Sequence, residues 1–184
     1  MKTMFYIVRH GQTLFNVKGL IQGWSDSPLT PLGVHQAQLM AEKISPIEFI
    51  LGVSSTSERA RDTLLTITQE RFPVLFYKDL KEVGFGSLEG GDRRPLLESP
   101  RRDYTAWGGE NFDEAGLRVE RRLITIAKHV GNRNVLVVSH GTVLREVIHD
   151  LDPNYNDIMP NCSMMKIACE DGQLSLVSYP EVLI

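Results

Sequence analysis

Short, unbroken apolar runs alternate along the chain with longer segments whose apolar residues share one helical face. The unbroken runs are typical of buried parallel strands and cover residues 4–8, 47–53, 74–77 and 134–139. The segments with one apolar face predict helices that begin near Thr30-Pro31, near Ser57, at Phe112 and after His140. Strands that alternate with helices predict an α/β fold with a doubly wound, mostly parallel sheet flanked by helices.

Three stretches depart from this alternation. Residues 14–29 show no period and predict a loop. Glycine and proline interrupt every period in residues 78–110, but aromatic and leucine side chains remain there, so a packed lid or pocket wall is expected rather than a solvated linker. Asp171-Gly172 lies between apolar runs at 164–168 and 174–178 and predicts a C-terminal hairpin.

Composition and charge narrow the class of protein. The chain has 184 residues, 42% of them hydrophobic, and no repeat or linker divides it, so a single domain over residues 1–184 is expected. The net charge of −3 argues against a nucleic-acid partner, and no stretch resembles a membrane span or a signal peptide. Cys162 and Cys169 are too few for a disulfide framework and lack metal-ligand spacing. We therefore expect a cytoplasmic protein with no nucleic-acid or membrane partner, whose oligomeric state the sequence leaves open.

Polar side chains of unusual type follow three of the predicted strands. Arg9-His10-Gly11 comes directly after the first strand, Arg59 follows the second, and His140-Gly141 follows the strand at 134–139. Because ligands of open α/β sheets bind beyond the carboxyl ends of the strands, we expect these groups to meet around one ligand. Two guanidinium groups and a helix N-terminus suit the oxygens of a phosphate monoester, which is close to a dianion at neutral pH.

The two histidines have two interpretations. A zinc or iron site would need more ligands than His10 and His140 supply, and the arginines would repel a cation, so neither a metal nor another cofactor is expected. The favoured interpretation is nucleophilic catalysis, in which neutral His10 attacks phosphorus while its other ring nitrogen donates to a backbone carbonyl. His140, neutral or cationic, would then donate to the phosphoryl oxygens, which Arg9 and Arg59 would clamp.

Glu82, at the start of the irregular segment, is the candidate general acid for the leaving oxygen. A partly desolvated carboxyl next to a bound anion is protonated more readily, and it can later take a proton back from the hydrolytic water. Glu89 lies close in sequence and is the alternative acid. Arg59 also has an alternative role, a surface ion pair with Glu58 or Asp62.

Arg9-His10-Gly11-x-Thr13-x-x-Asn16 resembles the signature of the histidine phosphatases, in the branch that includes the cofactor-dependent phosphoglycerate mutases. Further motifs match in the family's order over nearly the whole chain. They are Ser54-Ser55 with Glu58-Arg59-Ala60 and Thr63, Glu82 with Gly86 and Glu89-Gly90, Gly109-Glu110, and Val138-Ser139-His140-Gly141.

This resemblance implies a phosphoglycerate mutase-like fold, with His10 as the phosphorylated nucleophile and Glu82 as the proton donor. It implies a phosphate pocket formed by Arg9, Arg59 and His140. It also implies further substrate contacts from Asn16, Gln22, Gly23 and the Gly141 backbone. Three positions depart from the residues that the family often has, and they leave the shape of the substrate pocket open: Thr56, Asp62 and Asn111.

The family divides on the acceptor of the phosphoryl group, which is water in the phosphatases and a second hydroxyl in the mutases. This chain is shorter than the mutases usually are, Glu89-Gly90 is similar to the phosphatases, and we interpret Arg93-Arg94 as surface charge. The resemblance therefore implies a metal-independent phosphomonoester phosphatase that acts on a small phosphorylated metabolite. The alternatives are a cofactor-dependent phosphoglycerate mutase and a phosphate-binding module without turnover, although the chain keeps both the nucleophile and the acid.

Overall fold

The computed structural model describes residues 1–182, which form a six-stranded sheet with the strand order β3-β2-β4-β1-β5-β6. The strands are β1 (Lys2–Arg9), β2 (Leu51–Ser55), β3 (Val74–Tyr77), β4 (Asn134–Ser139), β5 (Ser163–Glu170) and β6 (Gln173–Val182). The helices are α1 (Leu14–Lys18), α2 (Pro31–Lys43), α3 (Glu58–Thr68), α4 (Arg94–Glu98), α5 (Phe112–Val130) and α6 (Gly141–Leu151). Over residues 1–182, none of the helices combines the length and the apolar character that a membrane crossing needs.

The first four strands are parallel, and the C-terminal hairpin adds two antiparallel strands. β1 pairs with β4, and β2 pairs with both β3 and β4. β5 lies antiparallel to β1, and β6 lies antiparallel to β5. The mostly parallel sheet with a C-terminal hairpin is therefore confirmed, and the hairpin strands are longer than their apolar runs indicate.

Burial on both faces explains the unbroken apolar runs of the central strands. Phe5 and Ile7 of β1 pack in a core with residues of α5 and α6. Val8 packs on the opposite face in a core with residues of α2 and α3. Because helices cover both faces, the space for a ligand lies at the edge where β1 and β4 end.

The start of β2 and two short helices differ from the sequence-based expectation, and one of these helices, α4, lies in the segment 78–110 that is expected to be irregular. β2 begins at Leu51 rather than at residue 47, because the chain is still turning after α2 and Phe49 enters the core from that turn. α1 lies in the segment where a loop is expected. Its start is a capping box, in which Thr13 Oγ1 accepts from the Asn16 N–H at 3.2 Å and Asn16 Oδ1 accepts from the Thr13 N–H at 3.1 Å. A helix of 5 residues is too short to show a helical period.

Two carboxyl groups lie close together between the helices that cover one face of the sheet. They belong to Glu120 of α5 and Asp150 of α6, and each acts on the ionisation of the other. Burial, together with the charge of Asp150, raises the pKa of Glu120 from 4.5 to about 7. The neutral form of Glu120 is therefore favoured in the folded protein, and the stability that it contributes is complete below pH 4.5 and is lost as the pH rises to about 7.

We expect Glu120→Gln to remove this pH dependence, because glutamine keeps a donor and an acceptor but does not ionise. Between pH 5 and pH 8 the melting temperature of the wild type should fall more than that of the variant, as thermal unfolding in matched buffers would measure. Glu114→Gln, at an exposed position of the same helix, is the control and should behave as the wild type. Identical pH dependence in Glu120→Gln and the wild type would contradict the prediction.

Candidate active site

A cavity of about 790 Å³ opens beyond the carboxyl ends of β1 and β4. Its lining includes all but one of the side chains and glycines that the sequence singles out. They are Arg9, His10, Asn16, Gln22, Gly23, Arg59, Glu82 and Gly141. His140 is the exception, because it is fully buried beside the cavity and does not line it.

His10 is held in the orientation and tautomer that a nucleophile needs. Its Nδ1 lies 2.7 Å from the carbonyl oxygen of Gly11, and because a carbonyl can only accept, Nδ1 carries the proton. Nε2 therefore keeps its lone pair. Burial, with the charges of Arg59 and Arg9, holds the pKa of the ring well below its ordinary value of 6.5, so the ring is neutral at neutral pH. Gly11 allows the backbone after His10 to lie against that of Gly33, since a Cβ at residue 11 would lie 2.5 Å from the backbone oxygen of Gly33.

Arg59 lies in the first turn of α3 and is fully buried. Its Nη1 donates to the Ser25 carbonyl at 2.9 Å and to Asp26 Oδ1 at 2.8 Å, and its Nη2 donates to the Gly23 carbonyl at 2.8 Å. The alternative of a surface ion pair with Glu58 or Asp62 is therefore wrong. Among the described residues nothing accepts from Nε, so this donor and the second N–H of Nη2 remain for a ligand.

Arg9, the last residue of β1, presents a second guanidinium group to the cavity. Its Nη1 donates to the Met159 carbonyl, and over residues 1–182 its Nε has no acceptor. Burial lowers the pKa of Arg9 to about 10, although the charge of Glu82 opposes this shift, so the group stays charged at neutral pH. Gly141 allows the guanidinium to lie against the start of α6, because a Cβ there would be 3.1 Å from the Arg9 side chain.

His140 is the N-cap residue of α6, and its ring centroid lies 5.2 Å from that of His10. Burial, with the charge of Arg59 next in size, holds the pKa of His140 well below 6.5. His140 is therefore a neutral ring at neutral pH, rather than a cation. The Nε2 atom lies 2.6 Å from Ser55 Oγ.

Glu82 places its carboxylate at the N-terminus of α6. Its Oε1 accepts from the N–H groups of Val83 at 2.9 Å and Val143 at 2.8 Å, and its Oε2 accepts from the Thr142 N–H at 3.0 Å. These bonds hold the side chain at the cavity wall. The irregular segment from 78 to 110 thus supplies a wall residue, as its apolar content indicates.

Glu89, the alternative acid, has a different position. Its Oε1 accepts from the backbone N–H groups of Trp24 at 2.9 Å and Phe85 at 3.0 Å, and its Oε2 accepts from the Ser25 N–H at 2.7 Å. It does not line the cavity. Glu89 therefore joins two loops, and Glu82 is the carboxylate that faces the ligand space.

The loop residues that the resemblance singled out also lie at the cavity. Asn16 Oδ1 accepts from Asn161 Nδ2 at 3.3 Å, and Gln22 Nε2 donates to a serine hydroxyl, that of Ser27, at 2.9 Å. The Gly23 carbonyl accepts from Arg59. These bonds order the wall around the two arginines.

Sequence reasoning does not place Arg93 at the cavity and misses two supporting residues. Arg93 is exposed, in agreement with its assignment as surface charge, but it also lines the cavity, and its N–H pairs with the Gly19 carbonyl at 3.0 Å. Arg94 instead pairs with Asp92 on the surface. Asp26 supports Arg59, and Asn161 Nδ2 donates to the His10 carbonyl at 3.0 Å. No local pattern could have found the contacts of Arg93, Asp26 and Asn161, since each of these joins distant parts of the chain.

The comparisons with known proteins agree with this geometry. Residues 5–181 match the family model of the histidine phosphatase superfamily (branch 1). The chain is 33% identical to an adenosylcobalamin/alpha-ribazole phosphatase from Escherichia coli over 78% of this chain and 76% of that protein. It is 37% identical to a metal-independent phosphoserine phosphatase from Arabidopsis thaliana over 79% of this chain and 67% of that protein.

A solved structure shows the same fold. The phosphoglycerate mutase from Bacillus anthracis superposes with a TM-score of 0.86 and 27% identity, over 97% of this chain and 92% of that one. The fold is therefore phosphoglycerate mutase-like, as the ordered motifs imply. The chain belongs to the histidine phosphatase superfamily, in its branch 1.

Proposed function

We propose that this protein is a metal-independent phosphatase of small phosphomonoesters that works through a phosphohistidine on His10. The observation that carries the proposal is the neutral His10 ring, whose Nδ1–H is held by the Gly11 carbonyl and whose Nε2 lone pair is free. A neutral imidazole with a fixed tautomer is a nucleophile. Arg9 and Arg59 lie in the same cavity and supply the positive charge that a phosphoryl group needs.

The reaction has two steps. In the first, His10 Nε2 attacks phosphorus, the bond from phosphorus to the leaving oxygen breaks, and Glu82 gives that oxygen a proton. In the second, water attacks the phosphohistidine, Glu82 takes a proton from the water, and the P–N bond breaks with release of inorganic phosphate. The unpaired donors of Arg9 and Arg59 bind the phosphoryl oxygens through both steps.

Glu82 takes up a proton from solvent when the substrate binds. Among the described residues its carboxylate accepts from three backbone N–H groups. A phosphate anion that binds beside it brings two negative charges together, and this favours protonation of the carboxylate. The same residue can then act as acid in the first step and as base in the second.

Glu82→Gln should reduce kcat by about 10²- to 10⁴-fold for alkyl phosphates, whose leaving oxygen needs a proton. The first step with p-nitrophenyl phosphate should suffer much less, because nitrophenolate leaves without one, so a burst of nitrophenol should persist. The matched control is Glu89→Gln, which disturbs the two loops and should affect both classes of ester equally. A uniform loss in Glu82→Gln would argue against the acid role.

A cofactor-dependent phosphoglycerate mutase is the second candidate function, and the position of Arg93 favours it. Arg93 offers the cavity a cation beyond the phosphate pocket, which suits a substrate with a second anionic group. The relatives include both proteins named as phosphatases and a protein named as a mutase.

We expect Arg93→Gln to raise KM for 3-phosphoglycerate by about 10-fold, while KM for glycerol 3-phosphate, which lacks the carboxylate, changes little. Arg94→Gln is the matched control, because the Arg94 guanidinium is next to Arg93 in sequence but pairs with Asp92 on the surface. Steady-state kinetics on the two esters measure the difference. Equal changes for both esters would show that Arg93 does not read the second charge.

The function itself is tested with a panel of phosphomonoesters, in buffer with and without a chelator. We expect release of inorganic phosphate in both buffers and, in rapid-quench samples, an acid-labile phosphoenzyme. Isomerisation of 3-phosphoglycerate that depends on 2,3-bisphosphoglycerate, with little phosphate release, would favour the mutase instead. Binding of the esters without either reaction would indicate a phosphate-binding module.

A further inference from the structure

Ser55 is the last residue of β2, and its hydroxyl lies between the backbone of Ser57 and the ring of His140. Its Oγ accepts from the Ser57 N–H at 3.2 Å and lies 2.6 Å from His140 Nε2. Ser55 and His140 are both fully buried. A buried hydroxyl hydrogen needs an acceptor, and among the described residues the His140 nitrogen is the acceptor at hydrogen-bond distance.

This arrangement determines which nitrogen of His140 carries the proton. If the Ser55 hydroxyl donates to Nε2, then the neutral ring must carry its hydrogen on Nδ1. Within residues 1–182, the Nδ1 atom is buried and has no hydrogen-bond partner. The opposite tautomer would leave the Ser55 hydroxyl hydrogen without an acceptor, whereas Nδ1 lacks a protein partner in either tautomer, so the Ser55 hydroxyl favours the Nδ1–H form.

The ring that carries the unpaired Nδ1–H lies beside the ring of the proposed nucleophile. The ring centroids of His10 and His140 are 5.2 Å apart, and the charge of Arg59 acts on both. A buried, unpaired donor on a ring this close to the nucleophile is suited to an oxygen of the phosphoryl group. In the opposite tautomer the same atom would present a lone pair to that anion and repel it.

We propose that Ser55 is a positioning residue, which holds neutral His140 in the Nδ1–H tautomer so that this nitrogen donates to a phosphoryl oxygen. The proposal rests on the proposed function, since the acceptor is the transferring phosphoryl group. It assigns Ser55 no contact with the substrate. Ser55 acts by determining which ring nitrogen of His140 carries the proton.

The tautomer is measured directly by long-range ¹H–¹⁵N spectra of the whole protein with ¹⁵N-labelled histidine, with His140 assigned through His140→Gln. We expect Nδ1 of His140 to be protonated in the wild type and the Nε2–H form to appear in Ser55→Ala. Addition of inorganic phosphate should perturb the Nδ1 signal of the wild type. An unchanged tautomer in Ser55→Ala would overturn the proposal.

Kinetics give the second readout. We expect Ser55→Ala to lower kcat on the order of 10²-fold, as the loss of one oriented donor does, and Ser55→Thr, which keeps the hydroxyl, to recover part of it. Ser54→Ala is the matched control, because that buried hydroxyl donates to the Ser55 carbonyl at 2.9 Å and not to a histidine. If Ser55→Ala does not fold, Ser55→Cys, with its weak S–H donor, serves the same comparison.

The two readouts separate this proposal from the proposed function. The expected tautomers without hydrolysis of any ester would support the positioning role and contradict the phosphatase. Hydrolysis that is equally fast in Ser55→Ala and Ser54→Ala would support the phosphatase and contradict the positioning role.

Discussion

His10→Ala is expected to lower kcat by roughly 10⁴-fold or more for every phosphomonoester, since the nucleophile acts as part of a unit. In the proposed mechanism the Nε2 lone pair of His10 is the attacking group, and the Gly11 carbonyl holds the Nδ1–H of the same ring. Arg9 and Arg59 stay in place in this variant, so inorganic phosphate should still bind.

The measurement combines steady-state hydrolysis with a search for the phosphoenzyme. We expect no acid-labile phosphoprotein in His10→Ala and a stoichiometric amount in the wild type. His35→Ala, at an exposed position of α2, is the matched histidine control and should keep both. Turnover that survives the loss of the His10 ring would contradict the covalent mechanism.

Arg59→Met should reduce kcat by about 10³-fold or more and should also destabilise the fold. The catalytic loss follows from removal of a fixed cation that binds the transferring group. The structural loss follows from burial: Asp26 loses its partner, and the carbonyls of Gly23 and Ser25 lose their donor. Breaking a buried ion pair from one side costs about 3–5 kcal/mol, and because Asp26 is partly exposed we expect the lower end of this range.

Both effects can be measured on the same samples, activity by steady-state kinetics and the free energy of unfolding by urea titration. Arg59→Lys should keep the charge but not the geometry. The planar guanidinium of Arg59 donates to two carbonyls and a carboxylate at once, and a lysine ammonium lacks this planar arrangement of donors. Arg61→Lys is the control on the same helix, where the exposed guanidinium lies 4.7 Å from the Phe76 ring centroid, and a change within about 0.5 kcal/mol is expected. If Arg59→Met is as stable and as active as Arg61→Lys, Arg59 has neither role.

The alternation of apolar runs and one-faced segments is sufficient to predict the parallel strands and the long helices. The runs at 74–77 and 134–139 coincide with β3 and β4, and the helix predicted from Phe112 is α5. The prediction of β4 succeeds because this central strand is buried on both sheet faces and its interior positions are apolar. β3 lies at the edge of the sheet and is only partly buried, and its apolar run still marks the strand. The run at 47–53 fails as a strand boundary because an apolar residue in a turn, Phe49, contributes to the core in the same way as one in a strand.

The residues of the candidate site likewise divide into those that the sequence could place and those that it could not. Residues next to a strand end, such as Arg9, His10 and His140, could be placed from the sequence because the edge of a parallel sheet brings them together. Arg93 could not, since its position depends on a backbone bond to Gly19 far away in the chain. The choice between Glu82 and Glu89 also depends on distant partners, because only the fold shows which carboxylate faces the cavity.

The sequence by itself determined the order of the strands and of the long helices, the single edge at which the chemistry gathers, and the types of group that gather there. Those properties depend on local periodicity and on neighbours along the chain. The tertiary structure decided the protonation states of His10 and His140, the buried support of Arg59 by Asp26, and the entry of Arg93 into the cavity. Those properties depend on burial and on contacts between residues far apart in the chain, which arise only when the strands and loops pack together.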